Sequence, residues 1–240
     1  MNTNLKRYDL LKALSWYTLG NVSIKLINFI SLPLFTALLN TNDYGIYGLF
    51  QSYLGIFEII LLFGGVHTIK MLKYDTSINY NQYVSSLILI PVIWTVLLIF
   101  LIHVYFILYC ELGGLSKSIW ICIFTTAGIA SVSICIYSKL ILEGSYKIFI
   151  VYSLINTIIN ISVSLILCYT VFESGRTYWA RIIGGIIANI CSCIYLLFFM
   201  KWEKPVFKYI KMGIQLGIPL LVHAIATQIL IQSDKIIIGK

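Results

Sequence analysis

Long apolar runs joined by short polar tethers cover almost the whole chain. A helix that crosses the hydrocarbon core of a bilayer needs about 20 mostly apolar residues. Stretches 14–39, 44–69, 83–109, 118–142, 148–172 and 178–200 each meet this requirement, and a seventh begins near Ile210. Inside hydrocarbon every backbone N–H and C=O must be bonded within its own segment or in a closed barrel. Barrel strands read as alternating segments of about ten residues, whereas these runs are long and continuous. The pattern therefore predicts an all-α integral membrane fold.

Composition sharpens the picture. The chain of 240 residues is 60% hydrophobic and 11% charged, against roughly 25% charged in a soluble domain. Its formal charge of +8 does not form the polar basic patch of a nucleic-acid binder, so no nucleic-acid partner is expected. The first apolar stretch is too long for the 7–15-residue core of a cleavable signal and reads as a retained span. Cys110, Cys122, Cys135, Cys168, Cys191 and Cys193 lie in or beside apolar runs without C-x-x-C spacing, and read as small packing residues.

The basic residues also set an orientation. With the N-terminus inside, the inner segments hold Lys6, Arg7, Lys12, Lys70, Lys73, Lys139, Lys147, Lys201, Lys204, Lys208 and Lys211. The outer loops hold Lys117 and Arg176, with Arg181 just inside the sixth span. The positive-inside rule then predicts a cytoplasmic N-terminus and a cytoplasmic 201–211 loop. Tyr44, Tyr47, Tyr80, Tyr83, Trp120, Trp179 and Trp202 fall where interfacial aromatic belts belong. The chain ends soon after Asp234 and Lys235, which reads as a truncated reading frame or as a seven-span protein with an outer C-terminus.

Charges within spans are costly, about 2.5–3.5 kcal/mol at the bilayer centre on insertion scales. Lys25 sits roughly 16 Å or more from either end of the first span at 1.5 Å per residue. Thr18, Asn21, Lys25 and Asn28 recur at three- and four-residue spacing and share one face. Lys25 reads either as a structural ion-pair partner or as a cation lining an anionic substrate's cavity. In the second span, Gly48, Gln51, Gly55, Glu58 and Gly65 form a comparable stripe. Glu58 either neutralises Lys25 or binds H⁺ or Na⁺ for coupling. Weaker stripes are Arg181, Gly185, Ala188 and Ser192; Ser153, Asn156, Asn160 and Ser164; and Gln215, His223 and Thr227, with Asp234 near the outer end. Ser, Thr and Asn at such positions are also ordinary interhelical glue. His67, His103 and His223 read as bonded packing residues. No nucleophile elbow, P-loop, carboxylate pair or metal-ligand spacing emerges, so neither enzyme chemistry nor a cofactor is expected.

Two patches carry a family resemblance. LFTALLNTNDYGIYGLFQSY at 34–53 resembles the end of helix one and the start of helix two in Wzx-type polysaccharide flippases, the O-antigen and capsule flippases of the MATE-like MOP superfamily. GIQLGIPLLVHA at 213–224, followed by QSDKIIIG at 232–239, resembles the opening helix of that family's second lobe. The resemblance implies a six-helix lobe over 1–200, a cytoplasmic inter-lobe loop at 201–211, and the first helix of a truncated second lobe at 212–240. It implies transport of undecaprenyl-diphosphate-linked oligosaccharide units by alternating access through a cationic cavity. Lys25, Asn21, Asn28, Arg181 and Gln51 would line that cavity, and Asp43 would help close the lobes at the outer turn. Partners implied are the lipid-linked oligosaccharide, the bilayer, and polysaccharide polymerase and chain-length machinery. Competing readings are a cation-coupled exporter of small molecules, an inactive remnant, and a membrane polymerase, for which the short outer loops leave no room.

Overall fold

The computed structural model describes residues 3–75, 77–109, 112, 114–172 and 177–238, with side chains described from 15 to 230. Cys110 and Arg176 lie outside the described residues, as do the side chains of Lys6, Arg7, Lys12, Asp234 and Lys235. Nine helices form among the described residues: α1 Thr3–Leu38, α2 Thr41–Leu62, α3 Gly65–Leu72, α4 Tyr80–Leu87, α5 Leu89–Leu108, α6 Lys117–Leu142, α7 Tyr146–Thr170, α8 Tyr178–Leu197 and α9 Phe207–Ile238. The fold is 85% helical and contains no strand among those residues. Seven spans are long and apolar enough to cross a membrane, with α4 and α5 together forming the third.

Two spans differ from the periodicity reading. The second, expected to continue to Ile69, ends at Leu62 because Phe63 (φ 47°) and Gly64 (φ 69°) both adopt the left-handed conformation. Gly65 therefore starts α3 and leaves the stripe that holds Glu58. A side chain at Gly64 would strain this turn. It would also meet the backbone of Gly217, which crosses here without a Cβ of its own. The third span starts earlier than expected and is interrupted at Ile88. Pro91 has no N–H to give the Leu87 carbonyl, so the α-helical ladder is broken there.

Helix starts follow from capping. The Asn40 side chain accepts from the Asp43 amide at 2.7 Å, so α2 begins at Thr41. The Asn79 side chain accepts from the Gln82 amide at 3.3 Å and opens α4. Its amide nitrogen donates to Glu203 at 2.6 Å. Of the 201–211 segment expected as an inter-lobe loop, residues 201–206 form a non-helical strap, and α9 begins at Phe207. Gln82 Nε2 donates to the Lys204 carbonyl at 3.1 Å, while Ser85 and Ser86 hydroxyls accept from the amides of Glu203 and Val206. These bonds pin the strap along α4.

Helix α6 is the hub: 67% of its apolar window is buried, against 11% for α1, α7 and α9. It packs against α2, α5 and α8, and α7 pairs closely with α8. Toward the Asn40 end, Phe50, Leu54, Ile119, Trp120, Ile123 and Phe124 fill the α2–α6 interface. Tyr53, Phe57, Trp120 and Phe124 interlock there, with ring centroids 4.8–6.0 Å apart. Toward the opposite end Ile69, Tyr83, Leu87, Ile136, Leu140 and Leu196 form a second cluster. The stripes on α7 and α8 are largely spent as glue: Asn156 donates to Ser192 at 2.8 Å, and Gly184 lies against the α7 backbone at Asn160 and Ser164.

Candidate functional site

Helix α1 packs on α7 along the side that carries Tyr17, Gly20 and Ser31, with Tyr17 against Tyr146 and Phe149. Asn21, Lys25 and Asn28 are exposed and lie about 100° round the helix from that side at 3.6 residues per turn. They flank the packed face as a polar lane, with the exposed Phe29 and Ile30 beyond it. The Lys25–Glu58 pair does not form: the salt bridge among the described residues is Lys139 to Glu143 at 3.9 Å.

Asn28 brings the lane to a cavity of about 190 Å³ between α1, α2 and α8. Ser31 and Phe35 of α1, Tyr44 and Tyr47 of α2, and Arg181 of α8 complete its polar and aromatic wall. The Arg181 guanidinium lies 3.8 Å from the Phe35 ring centroid and 4.8 Å from that of Tyr47. A cation over an aromatic face gains about 0.5–2 kcal/mol, more as water is excluded. Arg181 Nη2 donates to Tyr47 Oη at 3.2 Å, and Gln51 Nε2 donates to the same oxygen at 2.7 Å. Tyr47 Oη thus accepts twice and keeps its own proton to donate. Arg181 Nη1 is buried and has no hydrogen-bond partner. Arg181 thus lines the cavity with part of its side chain while Nη1, shielded from solvent, keeps an unspent donor, which is costly to bury.

Asp43 sits at the end of this arrangement nearest Asn40. It is 4% exposed, and its Oδ2 accepts from the Thr177 amide at 2.8 Å and the Thr177 hydroxyl at 2.7 Å. Its partner thus lies at the start of α8, within the same bundle. Glu58 is partly buried on α2. Its backbone carbonyl accepts from Ser131 at 3.2 Å, and its carboxyl lies within electrostatic reach of Tyr137 and Tyr152. The structure thus brings together Asn28, Gln51 and Arg181, places Lys25 and Asn21 further along the same lane, and leaves Glu58 two turns beyond Gln51 on the same face of α2, outside the cavity lining.

Two members of the site escaped the sequence reading. Tyr47 was assigned to the interfacial belt, yet it is the oxygen on which Gln51 and Arg181 converge. Phe35 passed as one apolar residue among many. The usable signal was spacing: Asp43, Tyr47 and Gln51 recur every four residues and so share a face. A second cavity, of about 280 Å³, lies between α5, α6 and α8 with an almost wholly apolar wall.

Helix content and the seven apolar spans define a multi-pass α-helical membrane protein. A family model described as Polysaccharide biosynthesis protein matches residues 10–240, and the chain belongs to that family, the family of the Wzx-type polysaccharide flippases. No curated protein and no solved structure matches the chain significantly.

Proposed function

We propose that the chain forms the N-terminal lobe, with the first helix of a second, of a flippase in the bacterial cytoplasmic membrane. Its cargo on this reading is an undecaprenyl-diphosphate-linked oligosaccharide repeat unit, moved by alternating access toward O-antigen, capsule or related surface glycan. The N-terminus and the 201–206 strap face the cytoplasm, as the basic residues require. The observation that carries the reading is Arg181, held against Phe35 and Tyr47 in the wall of a cavity that Asn28 joins to the exposed lane of α1 bearing Lys25.

The physics matches the cargo. A diphosphate with attached hydroxyls cannot cross hydrocarbon unsatisfied. Fixed cations and amide or hydroxyl donors replace the water it gives up. Arg181 offers a planar, aromatic-backed donor near one end of the path, and Lys25 a mobile point charge deeper in. The isoprenoid tail needs no such help and stays in lipid.

The test is export in cells that depend on this protein for a surface glycan. Arg181→Ala and Lys25→Ala should each abolish the surface glycan and make lipid-linked repeat units accumulate in the inner leaflet, with the protein's membrane level unchanged. Full export in both variants would refute the cavity assignment.

A further inference from the structure

We infer that Asp43 and Thr177 form a clamp that positions Arg181, setting the register between α2 and α8 so that the guanidinium stays in the cavity. The inference rests on the flippase reading for its purpose but not for its geometry. One turn beyond Asp43 on α2 comes Tyr47, and one turn beyond Thr177 on α8 comes Arg181. Both helices start at the same end, so the two contacts stack: Oδ2 to the Thr177 amide and hydroxyl at 2.8 and 2.7 Å, then Tyr47 Oη to Arg181 Nη2 at 3.2 Å. The upper contact is the better shielded, with Asp43 4% and Thr177 9% exposed. Its own helix end is fixed by the Asn40 side chain on the Asp43 amide at 2.7 Å.

Arg181 needs such a device. It lies one turn inside α8, close enough to that end for a long cationic side chain to snorkel out toward headgroups. Phe35 and Tyr47 hold it only while α1 and α2 keep their station against α8. The carboxylate suits the clamp because it accepts from the first free amide of α8, where the helix dipole favours an anion. Both of its α8 donors are neutral, and no cation among the described residues pairs with it. In the clamp Asp43 acts on Arg181 through the two hydrogen bonds it accepts from Thr177.

The experiment labels the membrane-embedded protein with phenylglyoxal, an arginine-specific reagent, and quantifies modification at Arg181 by mass spectrometry against the Arg7 peptide. Asp43→Ala should raise Arg181 labelling about tenfold or more, the factor expected when a hydrogen bond to a charged group is lost. Asp43→Asn keeps an acceptor oxygen, and Thr177→Ser keeps the hydroxyl, so both should stay near wild type. Unchanged labelling in Asp43→Ala, or equal labelling in Asp43→Asn and Asp43→Ala, overturns the clamp. Should Asp43→Ala not reach the membrane, Thr177→Val decides instead: it removes only the hydroxyl bond, and labelling as in wild type overturns the proposal. In the export assay Asp43→Asn should rescue what Asp43→Ala loses. Wild-type export by Arg181→Ala, with labelling still governed by position 43, sinks the flippase reading of Arg181 and leaves the clamp standing.

Discussion

Gly184 and Gly185 are neighbours on α8, and alanine should have opposite effects at the two positions. Each replacement removes a glycine from a helix interior, which favours the helix by up to about 1 kcal/mol. At Gly185 a new Cβ meets only Asn160 Nδ2 at 4.0 Å, an ordinary contact, so the helical gain stands. At Gly184 the same atom would overlap the Ser164 hydroxyl and lie 3.0 Å from the Ser164 amide nitrogen and 3.1 Å from the Asn160 carbonyl oxygen. A hydroxyl can rotate; two backbone atoms cannot, so α7 and α8 must separate. Overpacking of this kind costs about 1–3 kcal/mol. Gly184→Ala should therefore be destabilised by about 0–2 kcal/mol and Gly185→Ala stabilised by up to about 1 kcal/mol. For a chain of this size 1 kcal/mol moves a melting temperature by about 2–4 °C, so the two variants should melt roughly 3–10 °C apart. Cys168 of α7 and Cys193 of α8 are buried, and a thiol-reactive dye reports their exposure on heating. Equal melting temperatures would show that the α7–α8 crossing is not set by the missing Cβ.

Other consequences are open to direct measurement. Ser86→Ala removes the acceptor for the Val206 amide at 2.9 Å; the lost bond is worth about 1 kcal/mol, and hydrogen exchange at the Val206 amide should rise about fivefold. Among the described residues Lys139, 1% exposed, meets Glu143 and the Met200 sulfur, each at 3.9 Å. A buried charge is costly and Glu143, 31% exposed, can turn to water, so Lys139→Met should melt no lower than wild type, while Glu143→Ala, which strands the ammonium, should melt lower. The Ser77 hydroxyl and amide, at 2.6 and 2.9 Å, hold the exposed Asp75 carboxyl below its ordinary pKa. This contribution is present above the ordinary carboxylate pKa and lost as pH falls through the lowered value; Ser77→Ala should move the Asp75 titration upward in carboxyl NMR.

How much of this was legible depends on the range of the interaction concerned. Span existence came from runs of apolar residues, a local property that the bilayer enforces, and every expected span has a counterpart. The end of the second span was missed because Phe63 carries no mark of a left-handed conformation. Gly64-Gly65 did carry one, but it reads equally as a small-residue packing face. The strap over 201–206 was also invisible, because its bonds join Asn79, Gln82, Ser85 and Ser86 to residues well over a hundred positions away. Arg181, Gln51 and Asn28 were found by their cost in hydrocarbon. Tyr47 and Phe35 were not, since an aromatic residue costs nothing there, and only the fold reveals that they face a guanidinium.

That contrast suggests how charges in such a bundle sort by role. Lys139 has a carboxylate and a sulfur about it, and Asp43 has two donors on one oxygen; each is accounted for inside the bundle and serves to hold helices together. Arg181 is only half accounted for. Its Nη2 is bonded and two aromatic rings lie against the guanidinium, so the side chain is fixed, yet Nη1 is buried without an acceptor. A purely structural arginine gains nothing from that arrangement, because the same aromatic contacts could be kept while both nitrogens were satisfied. On the proposed flippase reading the arrangement has a use: a phosphate or sugar oxygen that displaced the neighbouring side chains would find a donor already held in place, sparing the ligand the entropy of ordering the arginine. Incomplete satisfaction on a well-held side chain is therefore what that reading expects at a binding position.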